Sequence, residues 1–313
     1  MSQSNIVVLC PGQGAQAVGM GGAWVSHAAA KAVFDEADSV LGDSLSVGLS
    51  LSQLCFNGPA EILNRTDVSQ PAIYTVSVAC FRALFGSRSS TEFAAVAGLS
   101  LGEYTALHIA GAFSFADGLR LVAQRGMWMQ KAAEAEPSSM VALIGADEAQ
   151  AQSVCDQTQS ALLGRILVCA NFNAPGQIVL SGHADACAKA VEIASSSGLR
   201  ATPLTVAGAF HSPLMQSAAD KMAEILAATP ILPLKTPVWS NVSAKPHDSG
   251  NPELLRHMLV QQIVSPVRWS QSCADLSSVH SGSEFHEVAP GSVLKGLMRR
   301  IDRNIKVVNH DEP

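Results

Sequence analysis

Three residues stand where their type and surroundings could do chemistry: Ser100, Arg125 and His211. Ser100 lies between two glycines in Gly98-Leu99-Ser100-Leu101-Gly102-Glu103, after a short apolar run at 93–97 and before the helix formers Tyr104-Thr105-Ala106-Leu107. This is the G-x-S-x-G pattern in a strand–turn–helix setting, which presents a serine nucleophile on a sharp turn. Flanking side chains would collide in such a turn, and glycine removes the Cβ. Ser100 would stand over a helix N-terminus, where free N–H groups and the positive dipole end stabilise a developing oxyanion. The blander reading is a glycine-flanked helix start with a solvent-facing serine. The chain carries such a copy: Gly48-Leu49-Ser50-Leu51 repeats the four letters, but Ser52 replaces the second glycine, so a loop or helix start is expected there.

Arg125 falls in a helix expected over 114–131, opened by Ser114 and Asp117 as a capping box. It shares a face with Leu121, Val122, Trp128 and Met129, and an arginine on an apolar stripe must snorkel or find an anion. Arg120, beside Asp117 and Gln124, reads as a solvated charge. His211 precedes Ser212-Pro213, an N-cap and a first-turn proline. The dipole of the following helix should keep its imidazole neutral and able to act as a base. The remaining histidines read as structural or surface groups.

Several elements must position these residues. The run 6–10 is a buried-strand candidate ending in the glycine-rich turn Pro11-Gly12-Gln13-Gly14-Ala15-Gln16. Gly12-x-Gly14-x-x-Ala17 also fits a dinucleotide-binding fingerprint, with Asp35 and Glu36 near the ribose-binding distance. That acid should follow a second strand, whereas 27–40 is helical in period, which weakens the dinucleotide reading. A long apolar helix is expected over 70–85, beginning at Gln70-Pro71. After a linker around 134–139 the rhythm changes to strand 140–145, helix 148–158, strands 166–170 and 177–181, helix 184–197 and strand 201–206. This βαββαβ order is that of a ferredoxin-like unit, with Asn171-Phe172-Asn173-Ala174-Pro175-Gly176 as the turn between its middle strands. A small domain is thus inserted into a larger one, and the cleft between them is the default ligand site. Later come a strand at 236–240, a helix through 262, and a strand–loop–helix passage ending in Arg299-Arg300.

At 313 residues with 48% hydrophobic and 15% charged residues, the chain can build ample core. A net charge of −6 argues against nucleic acid as the main partner. Seven cysteines without a C-x-x-C pair read as reduced buried thiols and supply neither a disulfide frame nor a metal site. Met1-Ser2-Gln3-Ser4-Asn5 has no basic n-region or Arg-rich transit character, and no run approaches a membrane span. A cytoplasmic location is expected, or an organelle stroma or matrix after loss of a transit peptide.

Taken in order, Pro11-Gly12-Gln13-Gly14-Ala15-Gln16, Gly98-Leu99-Ser100-Leu101-Gly102-Glu103, Gln124-Arg125-Gly126, Asn173-Ala174-Pro175-Gly176-Gln177 and Gly208-Ala209-Phe210-His211-Ser212 resemble the malonyl-CoA:acyl carrier protein transacylases. The likeness runs in family order over nearly the whole chain, to Pro290-Gly291. It implies an α/β fold: an α/β-hydrolase-like core with a parallel sheet and the elbow over 1–135 and 206–313, plus the ferredoxin-like subdomain over 136–205.

The resemblance further implies Ser100 as nucleophile and His211 as base, with the Gln262 backbone carbonyl orienting the imidazole. The N–H groups of Gln13 and Leu101 would form the oxyanion hole. Arg125 matches the arginine that holds the substrate's free carboxylate, a role suited to a planar, bidentate guanidinium. Acetyl-CoA would leave Arg125 unpaired, so discrimination should be strong. Phe210 would crowd a 2-methyl branch, and Gln70 and Asn173 would line the pocket. Members often carry histidine before the nucleophile; here Leu99 stands there.

The implied reaction is ping-pong transfer of malonyl from coenzyme A to the phosphopantetheine thiol of an acyl carrier protein, without metal or redox cofactor. Because such carriers are acidic, docking is expected near Lys189, Arg200, Lys295, Arg299 and Arg300. A monomer is expected. Rival readings are a serine esterase or thioesterase with the same elbow, a trans-acting acyltransferase of a polyketide synthase, and a non-catalytic docking module.

Overall fold

The computed structural model describes residues 5–45, 47–86 and 88–313; Met1 to Ser4, the polar lead-in to the first strand, lie outside them. In chain order the strands are β1 (Ile6–Cys10), β2 (Ala95–Gly98), β3 (Ser138–Ile144), β4 (Leu167–Ala174), β5 (Gln177–His183), β6 (Arg200–Pro203), β7 (Val238–Trp239), β8 (Glu284–Val288) and β9 (Val307–His310). The helices are α1 (Ala28–Leu41), α2 (Leu51–Asn57), α3 (Ala60–Leu63), α4 (Thr66–Phe85), α5 (Gly102–Ile109), α6 (Phe115–Ala135), α7 (Glu148–Ala161), α8 (Ala184–Ser196), α9 (Gln216–Ala228), α10 (Pro252–Val264), α11 (Trp269–Val279) and α12 (Val293–Ile301).

Two separate sheets result. The larger is parallel throughout, in the order β7-β2-β1-β8-β9. Val7 and Leu9 of β1 pack on one face with Trp239, Trp269 and Phe285. Ile6, Val8 and Cys10 pack on the other with Val33, Ile73 and Leu121 from α1, α4 and α6. Burial on both faces explains why β1 reads as a continuous apolar run and not an alternation. The smaller sheet is antiparallel, in the order β4-β5-β3-β6. Its own core joins Val141, Leu143, Leu167 and Leu180 to Val154 of α7 and Ala190 of α8.

Register brings the site together. Cys10 pairs with Gly98, so β1 and β2 end side by side and their following loops leave from one C-terminal edge. The small sheet is stitched to the large unit at β4: Phe172 N–H donates to the Val267 carbonyl at 2.9 Å, and Val267 N–H donates to that of Ala170 at 2.8 Å.

Three sequence expectations are corrected. Asn171, Phe172 and Asn173 belong to β4 and not to a turn, because β5 and Val267 supply their backbone partners across two register shifts. Helix α4 starts at Thr66, where Gln130 of α6 caps the Thr66 N–H at 3.2 Å, so Pro71 lies inside it. Burial of Ile73, Val76 and Val78 outweighs the one hydrogen bond that proline forgoes. Strand β7 keeps only Val238 and Trp239, since the Ser240 N–H turns away to the Lys245 carbonyl.

Candidate active site

Ser100 sits at the junction of β2 and α5 with φ 51°, a left-handed conformation that costs a non-glycine residue on the order of 1–3 kcal/mol. The surroundings hold it there. Its N–H donates to Asn241 Oδ1 at 2.6 Å, while Asn241 Nδ2 donates to the Gly98 carbonyl at 2.7 Å. Any Cβ on Gly98 would lie 1.9 Å from the Gly102 carbonyl carbon, and one on Gly102 would lie 2.1 Å from the Cys10 oxygen. Gly12 lets the β1 loop press against the Leu99 carbonyl, which a Cβ would approach to 2.3 Å. Leu101 precedes α5, so its N–H is among the first-turn donors with no intrahelical acceptor. Gln13 lines the same cavity and anchors its side chain on Thr66 Oγ1 at 3.2 Å.

His211 is also left-handed, with φ 57°. Its Nε2 lies 2.8 Å from Ser100 Oγ, and its Nδ1 lies 2.8 Å from the Gln262 backbone oxygen. A carbonyl only accepts, so Nδ1 carries the proton and Nε2 presents its lone pair to the serine hydroxyl. The imidazole pKa is pushed down to about 3, first by burial and then by the Arg125 charge, with the Gln262 bond opposing. The expected cause, the dipole of the following helix, is not the operative one. A 3-10 turn over Pro213–Met215 intervenes, and α9 proper begins only at Gln216.

Arg125 is 1% exposed on α6. One terminal nitrogen donates to Gln70 Oε1 at 2.7 Å; the other donates to Ser100 Oγ at 3.1 Å and to Gln262 Oε1 at 3.0 Å. The Tyr104 ring lies 5.5 Å from the guanidinium carbon, and Nε has no partner among the described residues. Burial lowers the arginine's pKa, and the groups of Tyr104 and Glu103 oppose that shift. Gln70 was expected along the pocket; it is fully buried behind Arg125 instead, bracing the guanidinium through Oε1. Its Nε2 faces Met129 Sδ at 3.6 Å.

A cavity of about 540 Å³ opens over these groups. Ser100, Arg125 and His211 form its floor, Phe210 and Asn173 line it as expected, and Asn171 joins them from β4. Asn173 Oδ1 is buried without a partner among the described residues. Asp35 and Glu36, the acids of the dinucleotide reading, lie on α1 and pair with Lys31 and Arg82.

The expected docking cations separate. Lys189 is held by Glu192 on α8 at 2.7 Å. Arg200 is exposed on the edge strand β6, and Lys295 is exposed on α12. Arg299 and Arg300 share a second, surface cavity of about 660 Å³ with Arg303 and Pro175, in the turn that follows β4. Sequence reasoning passed over Arg303, Asn171, Asn241, His247 and the role of Glu103. None carries a local signal, because each acquires its neighbours from a distant segment. Among the described residues no cluster of His, Cys, Asp or Glu could hold a metal ion, and no helix is long and apolar enough to cross a membrane.

Comparison with known proteins gives the family. The acyl transferase domain model matches residues 7–308. The chain belongs to the acyl transferase family. Among this family's curated members, the malonyl CoA-acyl carrier protein transacylase of Bacillus subtilis (strain 168) is 40% identical, over 99% of this chain and 94% of its own length. The acyl-carrier-protein S-malonyltransferase of Burkholderia pseudomallei 1710b superposes with a TM-score of 0.89 at 35% identity, covering 99% of this chain and 97% of that one. A malonyl-transacylase solved in complex with its type II PKS acyl-carrier protein gives 0.90 at 34% identity, covering 99% and 97%. The family likeness read from motif order is thereby borne out.

Proposed function

We propose that the protein transfers malonyl from malonyl-CoA to the phosphopantetheine thiol of an acyl carrier protein, supplying extender units for fatty acid synthesis. The observation that carries this reading is the buried Arg125 guanidinium 3.1 Å from Ser100 Oγ. A general esterase has no use for a buried cation at its nucleophile, whereas an acyl group ending in a carboxylate gives that cation its counter-ion.

In the first half-reaction His211 Nε2 takes the Ser100 proton as Oγ attacks the thioester carbonyl carbon. The N–H groups of Leu101 and Gln13 hold the resulting oxyanion. The C–S bond breaks, and the coenzyme A sulfur leaves with the proton from His211. In the second half the carrier thiol gives its proton to His211 and attacks the malonyl ester. The C–O bond breaks, Ser100 recovers the proton, and no metal or redox cofactor enters the balance. Arg125 clamps the malonyl carboxylate throughout, displacing its own contact with Oγ, and Phe210 limits room at the α-carbon. Asn171 and Asn173 flank the thioester arm.

Carrier docking is assigned to Arg299 and Arg300, with Arg303 added. Lys189, already neutralised by Glu192, is the weakest of the expected contacts. We read the large unit as α/β-hydrolase-like and the small sheet with α7 and α8 as ferredoxin-like, acting as a cytoplasmic monomer. Intact mass after incubation with malonyl-CoA tests the central claim. The wild type should gain one malonyl group, Ser100→Ala none, and Arg125→Ala should load malonyl poorly while relatively favouring acetyl-CoA. A wild type that stays unmodified, or that releases free malonate at the transfer rate, would sink it.

A further inference from the structure

Beneath the floor of the cavity, Asn241, which holds Ser100, and Gln262, which holds His211 and Arg125, converge on one buried carboxylate. Glu103 is 1% exposed, at the start of α5. Its Oε1 lies 2.6 Å from His247 Nε2, itself buried. Its Oε2 accepts from Gln262 Nε2 at 2.6 Å and from the Asn241 backbone N–H at 3.1 Å. No step of the transfer reaction uses it. A buried carboxylate is retained at a desolvation cost unless its charge and hydrogen bonds are answered, and here they are answered by His247 together with Asn241 and Gln262, the residues that hold the site.

The Gln262 side chain is the link. Its Oε1 accepts from Arg125 at 3.0 Å, and its Nε2 donates to Glu103 Oε2 and to the Ser100 carbonyl at 2.9 Å. Only this orientation of the amide satisfies all three neighbours, because a flip would set its NH2 against the guanidinium and its oxygen against two acceptors. The buried positive and negative charges are therefore joined through one amide, whose polarity Glu103 fixes together with Arg125 and the Ser100 carbonyl.

We propose that Glu103 is a positioning residue for recognition of the acyl carboxylate: through the Gln262 side-chain amide it holds the Arg125 guanidinium at the Ser100 hydroxyl. The inference rests on the transacylase reading above. It makes a distinction that a merely structural role does not. Loss of folded protein would slow loading of every acyl group alike, whereas release of Arg125 penalises malonyl and spares acetyl.

The experiment measures second-order loading of Ser100 from malonyl-CoA and from acetyl-CoA by intact mass, in wild type, Glu103→Met and Glu103→Gln, with thermal melting of each. Methionine fills the space without an acceptor, so the malonyl-over-acetyl preference should fall by about fivefold or more. Glutamine still offers an oxygen to Gln262 while His247 changes tautomer, so it should recover most of the preference. A smaller fall in a folded Glu103→Met protein overturns the proposal. Should that variant not fold, Gln262→Met removes the amide while leaving the backbone carbonyl on His211, and the same threshold decides. A wild type that does not load malonyl overturns both this inference and the transacylase reading; a wild type that loads, beside variants of unchanged preference, overturns this inference alone.

Discussion

Ser100, His211 and Arg125 each sit in an environment that an isolated side chain would avoid. Two are left-handed and one is a buried cation, and the strain persists because neighbouring residues over-determine it. For His211 the result is an imidazole that stays neutral far into the acid range. Its pKa of about 3 means the imidazole holds its lone pair at neutral and mildly acid pH and loses it only as pH falls towards that value. Arg125→Ala removes one of the two depressing influences, so the His211 pKa should rise while burial keeps it below its ordinary 6.5. An NMR titration of the His211 ring in wild type and Arg125→Ala checks the sign; an unchanged or lower value in the variant would refute it. Of these three residues, the serine announces itself by its flanking glycines and the arginine by its place on an apolar stripe. The histidine was legible as a neutral base, but the reason for its neutrality was not, since its burial and the Arg125 charge both come from segments distant in the sequence.

At the level of elements, two helix starts that look alike in sequence differ in what they do. Ser50 caps α2 through a reciprocal box with Gln53, whereas the elbow at Ser100 rests on two glycines in contact with backbone. Gly98→Ala should therefore cost more than about 3 kcal/mol or abolish soluble expression, because the new methyl meets main chain that cannot move aside. Ser50→Ala should cost about 1 kcal/mol and leave malonyl loading unchanged. Chemical denaturation of both variants, with loading by mass, separates the cases; a Gly98→Ala protein of near wild-type stability would contradict the packing account. The strands of the small sheet were legible from their rhythm, yet the Asn171–Asn173 segment was misplaced in a turn. Asparagine's turn preference is a local property, and the partner that overrides it, Val267, lies 95 residues downstream of Phe172.

For the whole molecule, the net charge of −6 should repel an acidic carrier, and a local positive patch has to overcome that field. Arg299, Arg300 and Arg303 around one surface cavity provide such a patch. Reversing Arg299 and Arg300 to glutamate should raise the KM for carrier protein by about tenfold, more at low salt than at high, while kcat at saturating carrier changes little. Steady-state kinetics at two ionic strengths tests this, and an unchanged KM removes the patch from the docking surface.

Sequence alone was sufficient for the serine elbow with its tight turn, the arginine on an apolar stripe and the βαββαβ rhythm, each carried by residue types at short spacing, and for the family, carried by five motifs in order along the chain. Tertiary structure alone decided that Gln70 stands behind Arg125 and not along the pocket, that the histidine is neutral through burial, and that Glu103, Asn241 and the Gln262 side chain, beyond its expected backbone carbonyl, pack beneath the site. Those facts arise from the ends of β1, β2 and α10 meeting in space. A carboxylate becomes a buried hub only when distant backbone and amide donors close over it, and no local pattern encodes that closure.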